Sequence, residues 1–254
     1  MTGTLSVVGL GPGDPGYLTS DAGEALRGVE ALYGYKPYLD RVPIHRDQVH
    51  YPSDNREEMD RAVAALAHAA RGGNVALVSG GDPGVFAMAA AVCEAIDTGP
   101  DAWRTLDVAF VPGITAMLAV AARIGAPLGH DFCALSLSDN LKPWDLIERR
   151  LDAAAGAGFA LALYNPVSRA RPWQFGKAME RLRRHLPEAT PVVFGRAVGR
   201  AEENVSVTTL AVAEATPADM ATLVIVGTRA TRVIERLGRS PLVYTPRAAA
   251  EDSA

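Results

Sequence analysis

Residues 5–16, LSVVGLGPGDPG, carry a short apolar run, interrupted only by Ser6, straight into a loop of glycine and proline. A short apolar run with no polar alternation predicts a strand buried on both faces, as in a parallel sheet covered by helices. In the loop GLGPGDPG (9–16), glycine allows positive φ and close backbone approach, and Pro12 and Pro15 stiffen the path. Its spacing is G-x-G-x-G, and two prolines stand where a phosphate-cradling helix would open. A dinucleotide turn needs G-x-G-x-x-G leading into a helix, so a nicotinamide cofactor is disfavoured. Asp14 in this loop reads either as an exposed cap or as an acid facing a substrate.

Outward from this loop, strand and helix patterns alternate. Asp21 with Glu24 reads as a capping box for a helix through Ala22, Ala25, Leu26 and Val29. Asp54 with Glu57 opens a second, with Met59, Val63, Leu66 and Ala70 on one face and Gly72-Gly73 as its stop. NVALVSG (74–80) is the next strand, and GGDPGVF (80–86) repeats the first device before the apolar helix 85–96. It is no Walker loop, because no G-K-[ST] closes it. Asp82 reads as an acceptor for a ligand ammonium or hydroxyl, or as a cap for the helix of Val85 and Phe86. TLDVAFVPG (105–113) and ITAMLAVAARIG (114–125) form a third strand and helix, with Thr115 and Ala116 offering a hydroxyl, backbone N–H groups and small bulk.

Past the Gly/Pro connector APLGHDF (126–132) the same alternation resumes. Strands are expected at 132–138, 159–164, 191–195, 204–210 and 222–227, and helices from Pro143 and over 172–186. Two α/β domains follow, 1–118 and 119–247, with a frayed tail at 248–254 and the active site in a cleft between the domains.

Of the 254 residues, 48% are hydrophobic and only 6% aromatic, which suits close helix-on-sheet packing by Ala and Gly. The net charge of −4 disfavours a nucleic-acid surface, and two cysteines make neither a disulfide framework nor a four-ligand zinc site. The five histidines lack metal spacing, and no G-x-S-x-G elbow supports acyl-enzyme chemistry. His130 beside Asp131 is a loop residue or a catalytic pair; Arg169, Arg171, Arg181, Arg183 and Arg184 are a solvated face or a cationic rim for a small polyanion. The opening MTGTLSVVGLG has no basic n-region, and no apolar run reaches the roughly 18 residues of a span, so a cytoplasmic protein without membrane or nucleic-acid partners is expected.

Three stretches together, VVGLGPGDPGYLT (7–19), SGGDPGVFAMA (79–89) and VPGITA (111–116), resemble the tetrapyrrole methylase family, class III S-adenosylmethionine-dependent methyltransferases. The resemblance continues in order through LALYNP (161–166) and TLVIVG (222–227). GYKPYLD (34–40), the segment 128–151 and ALYNP with its basic sequel resemble the branch that methylates precorrin-3B at C17, with ring contraction to precorrin-4, in cobalamin biosynthesis. Other methylases of that family (C11 or C20, or a cobalt-precorrin substrate), a diphthine synthase and a non-enzymatic nucleotide-binding module are the alternatives.

The resemblance implies two α/β domains, a homodimer, and S-adenosylmethionine bordered by Pro12. Gly80, Gly81, Asp82, Val85 and Phe86 would hold its methionine portion and ribose, Thr115 and Ala116 would touch it, and Tyr164, Asn165, Ala197 and Thr222 would frame the adenosine. Asp14, His130 and Asp139 are the candidate bases, and Lys36, Lys142 and Arg169 the candidate clamps for tetrapyrrole carboxylates. Asn140, Lys142 and Val167 depart from the family's pattern.

Overall fold

A computed structural model describes residues 3–43 and 47–248. Apart from Ala248, the expected frayed tail lies outside the described residues. The chain divides into two compact units, Met1–Ala116 and Met117–Ala254.

The first unit runs β1 (Thr4–Gly9), α1 (Ser20–Arg27), β2 (Ala31–Tyr35), α2 (Lys36–Leu39), β3 (Val49–Ser53), α3 (Glu58–Ala70), β4 (Asn74–Ser79), α4 (Met88–Thr98) and β5 (Asp107–Val111). Its sheet has the order β3-β2-β4-β1-β5, with every pair parallel. Alternation along the strands sorts side chains to two buried faces. Leu5, Val7, Val75 and Leu77 join Leu66 of α3 and Val92 of α4; Val8, Leu32, Ala76 and Val78 join Ala22 and Leu26 of α1. The continuous apolar runs of the sequence thus reflect burial from both sides.

Several element starts differ from expectation. The cap of α1 is Thr19, whose hydroxyl accepts from the Ala22 N–H at 3.2 Å, two residues ahead of Asp21. Glu57 does accept from the Asp54 N–H at 2.9 Å, but α3 starts only at Glu58. Its buried face is Ala62, Ala65, Leu66 and Ala69, while Met59 and Val63 face solvent. Small residues let the helix settle close on the sheet. The helix expected from Val85 begins at Met88, because Phe86 sits at φ 53° and breaks the helical path.

The second unit holds α5 (Ala116–Ile124, begun at the last residue of the first unit), β6 (Gly125–Ala126), β7 (Phe132–Ser136), α6 (Trp144–Gly156), β8 (Ala160–Tyr164), α7 (Gln174–Leu182), β9 (Pro191–Arg196), β10 (Asn204–Thr209), β11 (Thr222–Val226), β12 (Arg232–Arg236) and β13 (Arg239–Tyr244). Its five-stranded sheet has the order β10-β9-β11-β8-β7; β7 and β8 run parallel and the other neighbours antiparallel. Helices α6 and α7 bury Ile147, Leu151, Phe175, Met179 and Leu182 with Leu161, Leu163, Phe194 and Val224. On the β9 strand a Cβ at Gly195 would lie 2.2 Å from a Val120 methyl of α5, so glycine is what admits that helix. The hairpin β12–β13 with β6 is a separate three-stranded sheet that the sequence pattern did not announce. A buried threonine chain supports it: Thr231 and Thr245 hydroxyls meet at 2.8 Å, and Thr245 donates to the Pro127 carbonyl at 2.7 Å.

Candidate functional site

In the first unit β1 and β4 are neighbours, yet the chain leaves them in opposite directions, β1 toward β2 and β4 toward β5. That is the switch point of a doubly wound sheet, where ligands bind beyond the carboxyl ends of strands. Both glycine-proline loops issue from it. Gly11 and Gly81, at φ 67° and 68°, exchange backbone hydrogen bonds of 3.1 and 2.9 Å. A Cβ at Gly113 would lie 2.2 Å from the Gly81 carbonyl oxygen, so the loop after β5 packs backbone against backbone on the same two loops.

Asp82 ties this arrangement together. One carboxylate oxygen accepts from the Gly84 N–H at 2.8 Å and the other from the Gly113 N–H at 3.1 Å. It therefore joins two loops and does not cap the following helix, since that helix starts six residues on. Each oxygen keeps a further lone pair for a ligand donor. Thr115 is buried, and Gly81 faces it across 3.6 Å measured from an ideal Cβ, with the Ala116 N at 3.9 Å. Pro12 is buried at the turn of the first loop, Val85 is half-buried, and Phe86 is exposed with its strained φ. Gly80, Gly81, Asp82, Val85, Phe86, Thr115, Ala116 and Pro12 thus share one edge of the sheet.

Asp14 is exposed on the first loop, where its carboxylate accepts from the Gly16 N–H at 2.6 Å and caps a single turn of 3-10 helix. Lys36 opens α2 at the same edge but pairs with Asp40 at 2.8 Å, both largely exposed.

The second unit gathers its candidates at one end of its sheet. Ser136 pairs with Tyr164 in the β7–β8 register, and Thr222 pairs with Arg196 next to Ala197. Tyr164, Asn165, Ala197 and Thr222 therefore stand at neighbouring strand ends. Asn165 and Ala197 hold φ of 53° and 48°, a region that non-glycine residues rarely occupy and that collects at ligand sites. Asn165 donates to the Ser136 hydroxyl at 2.9 Å, and the Tyr164 hydroxyl accepts from the Met117 N–H at 3.2 Å, satisfying the first turn of α5. Thr222 donates to Asp219 at 2.9 Å, and Asp219 also accepts from the Ala221 N–H and from Arg196, each at 2.9 Å. Burial raises the Asp219 pKa, but those bonds outweigh it and hold the carboxyl below the usual range.

Of the candidate bases, Asp139 lies in the loop after β7, where it binds Arg171 and accepts from the buried Gln174 at 2.9 Å. The geometry makes it the anchor of that loop. His130 precedes β7, at the opposite end of the strand, and its Nδ1 lies 3.7 Å from the exposed Asp131. The structure does not bring His130 to Asp139 or Asn165. Lys142, in the loop after β7, is half-buried, and burial, helped by Arg150, pulls its ammonium below the usual lysine range. Arg169 is exposed at the tip of the turn bridged by Ser168 and Arg171. The other arginines of the basic stretch are paired: Arg181 with Asp152, Arg183 with Glu214 and Arg184 with Glu180.

Ser136, Gln174 and Asp219 escaped the sequence reading because contacts of each join segments far apart in the chain, and for the same reason Arg171, read there only as part of a basic face or rim, showed no sign of its bond to Asp139. Only Asp219 leaves a local trace, the acid three residues ahead of Thr222.

The pattern of the Tetrapyrrole (Corrin/Porphyrin) Methylases matches residues 4–214. The chain belongs to this family. This tetrapyrrole methylase is 62% identical to the precorrin-3B C(17)-methyltransferase of Sinorhizobium sp over 97% of both chains. Its fold matches the crystal structure of the methyltransferase CobJ with a TM-score of 0.90 and 48% identity, over 96% of this chain and 100% of that one. The uroporphyrin-III C-methyl transferase of Thermus thermophilus, solved with S-adenyl homocysteine, matches with a TM-score of 0.67 over 89% of this chain and 97% of that one; its 22% identity speaks to fold alone.

Proposed function

We propose that this tetrapyrrole methylase transfers a methyl group from S-adenosylmethionine to C17 of precorrin-3B, with contraction of the ring to precorrin-4, in cobalamin biosynthesis. The observation that carries this reading is the 62% identity to a precorrin-3B C(17)-methyltransferase along nearly the whole of both chains.

The residues present suit the cofactor. Three loops of bare backbone meet at the switch point, and Gly81 keeps space toward Thr115 that a side chain would fill. Gly80, Gly81, Asp82, Val85 and Phe86, with Pro12, Thr115 and Ala116, would hold the methionine portion and ribose; Tyr164, Asn165, Ala197 and Thr222 would hold the adenosine. Bound S-adenosylmethionine supplies an electrophilic methyl on a sulfonium. The chain's share is to hold the acceptor and donor in line and to exclude water, and orientation of this kind supplies up to about 7–11 kcal/mol of a barrier. Glycine loops suit this because backbone donors bring no rotamer freedom.

Ring contraction calls for a proton to leave the C20 hydroxyl. Asp14 is the carboxylate assigned to receive it: it is exposed on the loop beside the switch point, whereas Asp139 is held by Arg171 and Gln174. Lys142 and Arg169 are the assigned clamps for substrate carboxylates. The working form is a cytoplasmic homodimer, following the family resemblance; within the described residues no helix is long and apolar enough to cross a membrane.

The decisive experiment incubates the protein with S-adenosylmethionine and precorrin-3B and locates the new methyl by mass spectrometry and NMR. The expected product is methylated at C17 and ring-contracted. A methyl at C11 or C20 instead would overturn the assignment.

A further inference from the structure

Tyr38, in the stretch GYKPYLD (34–40), and Arg41 just after it carry no assignment above, yet between them they touch both glycine loops. Gly34 ends the inner part of β2 where a Cβ would lie 2.5 Å from a Val78 methyl and 3.0 Å from Leu39. Its absence of a side chain lets the buried Leu39 seat α2 against β4. Seated there, α2 lays the Tyr38 ring on Gly80: a Cβ at Gly80 would lie 2.7 Å from two ring carbons and 3.0 Å from the hydroxyl. Two residues past α2, the Nη2 of Arg41 donates to the Leu10 carbonyl at 3.1 Å and to the Gly11 carbonyl at 2.9 Å. The guanidinium carbon stands 6.0 Å from the centre of the Tyr38 ring, in reach of a cation–π contact.

One short segment therefore grips both loops. Arg41 holds the carbonyls on either side of the Leu10–Gly11 turn, Tyr38 closes one side of Gly80, and the loops are themselves joined by the reciprocal Gly11–Gly81 bonds. Bonds from a charged donor to two carbonyls are stronger than neutral ones, and they orient peptide groups that glycine would otherwise leave free. We propose that Tyr38 and Arg41 are positioning residues that set the two glycine loops in the conformation that binds S-adenosylmethionine. This rests on the reading that these loops hold that cofactor.

The test measures S-adenosylhomocysteine affinity by calorimetry, together with kcat and KM for S-adenosylmethionine, on full-length variants shown by circular dichroism to be folded at the assay temperature. Arg41→Met and Tyr38→Ala are each expected to weaken binding at least tenfold and to raise KM more than they lower kcat. Tyr38→Phe is expected to stay within twofold of the parent, because it keeps the ring, whose carbons lie nearer Gly80 than the hydroxyl does. The double variant is expected to lose less than the product of the single losses, since both residues act on one joined pair of loops. Should Arg41→Met fail to fold, Tyr38→Ala with its Phe counterpart decides alone. Parent-like affinity in folded Arg41→Met or Tyr38→Ala overturns the proposal. Absence of binding by the parent protein instead overturns the cofactor reading on which it rests.

Discussion

Ala197 holds φ 48° with no polar side chain to compensate, although a residue without a Cβ would adopt that backbone freely. An L-residue there costs about 1–2 kcal/mol. Glycine would remove that strain and return roughly 0.5–1 kcal/mol of it as chain entropy. Ala197→Gly is therefore expected to raise stability by up to about 1 kcal/mol, read as a rise of about 2–4 °C in melting temperature. A fall would show that the Ala197 methyl is packed for stability. Lys142 poses the reverse balance. Burial and then Arg150 lower its pKa, so folding disfavours the charged form. That cost is fully present wherever the pH lies below the folded value and fades as the pH rises through the unfolded one. Lys142→Met should then leave the melting temperature equal or higher while raising KM for the tetrapyrrole severalfold. A destabilised protein with an unchanged KM would remove Lys142 from the substrate site.

At the scale of elements, glycines decide which surfaces meet. The apolar run PVVFG (191–195) reads clearly as a strand, but nothing local says why a glycine stands at 195. The reason is α5, whose Val120 fills the space over Gly195. Gly195→Val would drive branched methyls into that helix, and overpacking of this kind costs about 1–3 kcal/mol. The expected result is a lowered denaturation midpoint, recovered in part by Val120→Ala in the same chain. No recovery in the double variant would show that the helix is not what Gly195 accommodates. The same logic explains the misplaced start of α4. Periodicity over 85–96 is helical, but Asp82 is spent on the Gly84 and Gly113 backbones and Phe86 turns into positive φ, so the helix waits until Met88. Local pattern was overridden by a contact with a loop some thirty residues away.

At the scale of the whole molecule, acid response belongs to carboxylates that bridge elements. Asp152 of α6 accepts from Arg181 of α7 at 2.8 Å and meets the His185 ring at 2.9 Å. Burial raises its pKa, yet those hydrogen bonds outweigh it and leave the carboxyl below its usual value. A depressed carboxylate stabilises the fold above its unfolded pKa of about 3.9 and loses that contribution as pH falls through the lower folded value. Asp152→Asn should be less stable than the parent at neutral pH, with the gap closing below about pH 4 in urea titrations; a gap that stays constant with pH would refute the role. The sequence by itself determined the strand–loop–helix units, the glycine-proline loops at strand ends, the family and its cofactor-binding candidates, because buried strands and tight turns write their demands into neighbouring residues. It did not show the mostly antiparallel second sheet, the hairpin β12–β13, or the engagement of Asp139 by Arg171 and Gln174. Nor did it show that Asp82 links loops, or that Tyr38 and Arg41 reach Gly80, Leu10 and Gly11. Those rest on contacts between residues distant in sequence, whose partners are fixed only when strands take their order in the sheet, and so only the tertiary structure decided them.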